Sequence, residues 1–173
     1  MVEWLITWGA SKAVGFLAKK VIGELAKGAA EDYVKDFFKQ CFSNAISNIN
    51  KKEPLQKAMA AATKDFLELV EEELKEVDGD ESQLDQYIKP LEQLIKNQSV
   101  LAILGSAFDK NVTLDIKKLA TIGNQINPSL PDKFDWELVI KQYQRKAKKI
   151  IRESDELRQI LDSENLEELA SQI

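Results

Sequence analysis

The chain of 173 residues contains no histidine and a single cysteine, Cys41. Without an imidazole there is no Ser-His-Asp or Cys-His nucleophile pair, and a zinc site needing several Cys or His ligands is excluded as well. One cysteine cannot form an internal disulfide, which fits a reducing compartment. Glycine (7 residues) and proline (4) are scarce, so a few long helices are expected, not many short strands joined by turns. Basic residues are the minority, 24 against 29 acidic for a net charge of −5, and a general nucleic-acid footprint is absent. Long apolar runs are missing too. A bilayer-spanning helix needs about 20 consecutive apolar residues, whereas the run Ala13 to Ala18 stops at Lys19 and Lys20. A secretory signal places basic residues ahead of an unbroken apolar core. Here Glu3 comes first and Lys12 divides the stretch, so the protein is expected in the cytoplasm.

What remains is a folded composition, 44% hydrophobic and 31% charged, arranged with helical periodicity. The fold class expected is all-α, a bundle of four or more helices with an irregular, loop-rich excursion over 109–133 and a C-terminal helical linker. A first helix is predicted from near Met1 toward Lys27, with Ile6, Ala10, Ala13, Leu17, Val21 and Leu25 recurring every three or four residues. Trp4, Trp8, Val14, Ala18 and Ile22 widen that face. Gly28 either kinks this helix or separates it from a second pattern that continues to Ile49. Pro54 suits the first turn of a helix running to about Val77. Leu84, Tyr87, Ile88, Leu91, Leu94 and Ile95 mark another, which Pro90 should kink or split. A short apolar helix follows over Val100 to Phe108. Val112 to Ile116 alternates like a short strand, and Ile116 to Ile126 reads as a further helix. The last long helix begins near Asp132 or Asp135, buries Trp136, Val139, Ile140, Tyr143 and Ala147, and is interrupted at Ser154-Asp155.

Charge is unevenly spread. Residues 53–92 hold 12 acidic and 4 basic residues, and residues 133–152 hold 7 basic and 2 acidic. These segments either face each other or present solvated surfaces of opposite sign. The acidic run Glu68, Glu71, Glu72, Glu73 and Glu76 has the spacing of carboxylate metal ligands, but such sites add Glu-x-x-His motifs, so it reads as a solvated face. Gly9 to Gly15 lacks the order of a phosphate-binding loop. Cys41, among Phe37, Phe38 and Phe42, reads as a buried structural thiol. No cofactor, metal or catalytic residue is expected. The first 30 residues stand apart: bulky Trp4, Leu5, Ile6 and Trp8 precede a series of small residues, and tryptophan favours membrane interfaces.

Two stretches carry a family resemblance. Leu130-Pro-Asp-Lys-Phe-Asp-Trp-Glu137, with Tyr143, Arg145 and Lys148 to Arg158, resembles the N-terminal helical region of cyanobacterial NACHT-type NTPases. The start, Val2-Glu-Trp-Leu with Gly15, Lys19 and Lys20, is similar to the same proteins. The resemblance implies an N-terminal bundle over 1–131, then a C-terminal helix and linker over 132–173 leading to an NTPase domain in cis. It implies a non-enzymatic effector or signalling domain of an NLR-like defence protein. Related helical domains, the fungal HeLo and bacterial Bell groups among them, are associated with membrane-targeted cell death after oligomerisation. On that reading Trp4, Leu5, Ile6, Trp8, Phe16 and Leu17 enter a membrane, while Lys12, Lys19 and Lys20 meet anionic headgroups. Self-association and membrane lipids are the implied partners, and activation would move the protein to the inner face of the plasma membrane. The alternative is a protein-interaction adaptor or autoinhibitory domain without membrane activity.

Overall fold

A computed structural model describes residues 15–25, 31–39, 41, 53–78, 81–109, 112–126 and 130–161. The regular structure among these residues is all helical, with no strand among them. The helices are α1 (Phe16–Leu25), α2 (Glu31–Phe37), α3 (Glu53–Asp78), α4 (Ile88–Lys96), α5 (Gln98–Gly105), α6 (Ile116–Asn124) and α7 (Trp136–Glu153). A last helix, α8, covers 155–161. Two 3-10 segments, Glu81–Tyr87 and Ser106–Phe108, join α3 to α4 and extend α5.

The longest helix, α3, is the axis of the bundle. Its apolar residues Leu55, Met59, Ala62, Phe66, Val70 and Leu74 repeat at helical spacing and are all buried. α7 lies against it more extensively than any other described pair of helices pack. At their junction Phe66 stacks on Trp136 with ring centroids 6.3 Å apart and meets Tyr143 edge-on at 6.0 Å. Asp135 starts α7 as expected, its carboxylate accepting the Leu138 N–H at 3.1 Å. The fully buried Tyr143 hydroxyl donates to the Leu104 carbonyl at 2.5 Å and so ties α7 to α5. Burial, foremost, raises its pKa well above the ordinary tyrosine value of 10.0.

α2 and α5 touch backbone to backbone. A methyl group on Gly105 would overlap the Phe37 carbonyl, so only glycine permits this approach. Phe37, Phe38 and Phe108 close the seam with edge-on and tilted ring contacts. Cys41 is the buried structural thiol that was expected: its Sγ donates to the Gly105 carbonyl at 3.2 Å. Desolvation pushes its pKa up to about 12, which removes the thiolate that reactivity requires.

Pro90 splits the helical pattern ahead of itself. Residues 81–87 form the 3-10 segment, and Pro90 sits buried in the first turn of α4, where a missing N–H breaks no bond. The alternation at 112–116 is not a strand. Residues 112–115 run without regular structure and insert Leu114 into the core, and the Asp115 carboxylate caps α6 by accepting the Lys118 N–H at 3.0 Å. Ser154 ends α7 and starts α8, its hydroxyl accepting the Leu157 N–H at 3.1 Å. Buried residues from α1 to α8 form one continuous apolar core.

Candidate functional site: the seat of the N-terminal helix

Among the residues expected to reach a membrane, Trp4, Leu5, Ile6, Trp8 and Lys12 lie outside the described residues. The remaining four fall on α1, and the fold treats them differently. Leu17 is fully buried, and with Ala18, Val21, Ile22 and Leu25 it forms the stripe by which α1 packs on α3 and α4. Phe16 is 46% exposed and Lys19 is exposed. Lys20 folds back over the Phe16 ring, 4.2 Å from its centroid, and pairs with Asp85 at 2.6 Å.

A buried polar tie between α1 and the bundle comes from α3. Glu71 is only 2% exposed, and its Oε1 accepts the Leu17 N–H at 2.8 Å. The first N–H groups of a helix have no partner within it, so a carboxylate from another helix satisfies one and complements the positive end of the dipole. Lys75 stands 4.0 Å from the same oxygen. Gly15 makes room for this carboxylate, because a methyl group there would overlap it. Further along, Glu24 of α1 stands beside Glu92 of α4 and can bond it only as the protonated donor. That bond, followed by the one Lys96 donates at 2.5 Å, holds Glu92 below its ordinary value of 4.5.

The sequence reading placed Glu71 on a solvated acidic face, and the structure corrects this. Glu72 and Glu76 are exposed, but Glu71 shares a helical row with the fully buried Leu67 and Leu74. A carboxylate four residues after one core leucine and three before another was the available signal. Its partner was not legible, because a backbone N–H has no sequence signature.

One other concavity, about 390 Å³, lies between α2, α5 and the start of α6. Asp36 and Asp115 balance Lys39 and Lys118 around it, so it selects neither sign of ion. Among the described residues no group of three Cys, Asp or Glu could hold a metal, and no helix is long and apolar enough to cross a membrane.

The described residues thus define an all-α bundle on which α1 sits by an apolar stripe and a few polar ties. Comparison with known families is specific about this bundle. Residues 25–173 match NACHT N-terminal helical domain 2, and the chain belongs to that family. The family implies a NACHT NTPase domain in cis, and this helical domain is not itself that catalytic module. The match starts at the last residue of α1 and leaves the rest of that helix outside. No curated protein and no solved structure matches the chain.

Proposed function

We propose that this domain is the non-enzymatic effector arm of an NLR-like defence protein, with α1 and the residues before it as the output element. The observation that carries the reading is the seat of α1. Its polar ties, Glu71 to Leu17 and Lys20 to Asp85, run to other elements and can be exchanged for water or lipid headgroups. Clustering through the NACHT domain gathers many copies, and α1 leaves its seat. Unseating exposes Leu17, Val21, Ile22 and Leu25, each worth about 1.5–3 kcal/mol when buried. A bilayer that receives those side chains returns most of that cost, whereas water does not. Lys12, Lys19 and Lys20 then meet anionic headgroups, each contributing about 1 kcal/mol, and clustering adds avidity that one helix lacks. The protein would act from the cytoplasm on the inner face of the plasma membrane.

A second reading, an adaptor or autoinhibitory bundle without membrane activity, draws support from the complete burial of the α1 stripe. Dye release from anionic vesicles, with the domain free and fused to an inducible oligomeriser, separates the two. Release only on clustering, lost when Trp4 and Trp8 are changed to Glu, is the expected outcome. A folded, clustered domain that releases nothing transfers the function to the adaptor reading.

A further inference from the structure

The outer face of α7 carries Lys141, Arg145, Lys148 and Arg152 at spacings of four, three and four residues, which places them in one row. All four are exposed, and none makes an ion pair among the described residues. Trp136, Tyr143 and Ala147 occupy the opposite, buried face, so packing fixes the row in place. α3 carries a row of opposite sign, half-buried Asp65 and Glu68, the latter paired with Lys64 at 3.6 Å, followed by exposed Glu72 and Glu76. Each row runs over eleven residue steps, about 16 Å at 1.5 Å per residue. The exposed members Glu72 and Glu76 have no ion-pair partner among the described residues. The rows lie on adjacent helices. Glu68, whose pKa burial raises, feels the field of Lys64 and, from α7, that of Lys146.

We propose that these two rows form a self-complementary surface through which a second copy of this chain docks, the basic row of α7 in each copy lying on the acidic row of α3 in the other. Opposite charges on neighbouring helices suit a two-fold interface, because one rotation brings both pairings together. The ends of the basic row favour a protein partner over a continuous anionic surface. Glu137 precedes it, and Glu153, Asp155 and Glu156 follow it, all exposed. A bilayer or a nucleic-acid duplex would be repelled at both ends, whereas a finite acidic row of equal length is not. This assignment goes beyond the membrane reading and requires no movement of α1.

Sedimentation of the 173-residue chain over a concentration series, without lipid, tests the proposal. Association is expected at roughly 0.05 M salt, weakening at least about tenfold by roughly 0.5 M as exposed charges are screened. Lys141→Glu/Arg145→Glu/Lys148→Glu should abolish it, and so should Glu72→Lys/Glu76→Lys, with helical content retained in both by circular dichroism. Mixing the two reversed proteins should restore association, because each reversed row then meets its complement. A wild-type chain that stays monomeric at low salt overturns the proposal. So do folded reversed proteins that associate like the wild type, a mixture that recovers nothing, or a basic row that captures anionic vesicles in preference to a second copy. Because lipid enters only that last arm, failure here is distinguishable from failure of the membrane reading.

Discussion

α3 receives α7 and α1 by different physics. Against α7 it offers aromatic rings, with Phe66 between Trp136 and Tyr143, and this part of the core even tolerates orphaned polar atoms: Thr63 Oγ1 and Trp136 Nε1 are buried without partners. Against α1 it offers an apolar stripe together with a buried carboxylate aimed at a backbone N–H, while Lys20 pairs with Asp85 of the 3-10 segment near the surface. The first kind of contact loses its value only when the whole core opens. The polar part of the second can be cut one bond at a time while the remaining helices keep their packing. The domain therefore has a stability of the bundle and a separate, smaller stability of α1 upon it.

The comparison is broken most forcefully from the α7 side. Phe66→Ala should cost about 3–5 kcal/mol, the range for deleting a buried aromatic ring, and should lower the stability of all helices together in a denaturant titration followed by circular dichroism. If only α7 were released, the division drawn above would be wrong. From the α1 side, Glu71→Ala leaves the Leu17 N–H without its acceptor, a loss of about 1–3 kcal/mol. Amide exchange in α1 should quicken roughly tenfold to a hundredfold, since each 1.4 kcal/mol is about tenfold, while α3 and α7 exchange as before. Gly15→Ala should act on the same bond by displacing the carboxylate. Combined with Glu71→Ala it should add little, because both changes remove one interaction. Additive effects would mean that the glycine serves some other contact.

These two positions also show what was legible in the chain. The apolar spacing of α3, α5 and α7, the Asp135 cap and the burial of Cys41 are local patterns, and each follows from side chains a few residues apart. The seat of α1 is not local: Leu17 and Glu71 are 54 residues apart, and one partner is a backbone group. Val112 to Ile116 misled for a related reason. Alternation there inserts Leu114 into the core from irregular chain, and strand character would need a neighbouring strand that α5 and α6 do not provide. Of the residues expected to meet a membrane, hydrophobicity alone could not separate exposed Phe16 from buried Leu17, since that depends on where α3 lies.

A smaller change of opposite sign sharpens the contrast. Thr63 lies one turn before Phe66 on α3, with its hydroxyl buried and unpaired. Thr63→Val replaces that hydroxyl with a methyl group of similar shape and should stabilise the whole bundle by about 1 kcal/mol. The exchange of α1 relative to the bundle should not change. A loss of stability would reveal a partner for the hydroxyl, such as a buried water, and would make this region more polar than the rings suggest.

The smallest effects belong to the surface pairs of α1, and their pH dependence has a defined sign. Lys20→Ala removes an exposed pair of the kind worth about 0.2–1 kcal/mol, and salt should mask the difference. Glu92 is held below its ordinary 4.5 by Glu24 and then Lys96, so its contribution is complete above that value and fades as pH falls through its lowered pKa. Lys96 is raised above its ordinary 10.5, chiefly by Glu92, so its contribution is complete below 10.5 and fades as pH rises beyond it. Glu92 and Lys96 pair within α4, so between those limits that pair should be flat with pH, and acid should weaken it before the apolar core. Amide exchange of α4, corrected for its intrinsic pH dependence, reads this directly. Glu92→Gln should remove the acid limb while leaving α7 untouched. If the limb survives that substitution, the acid-sensitive group is a different carboxylate and its assignment to Glu92 is wrong.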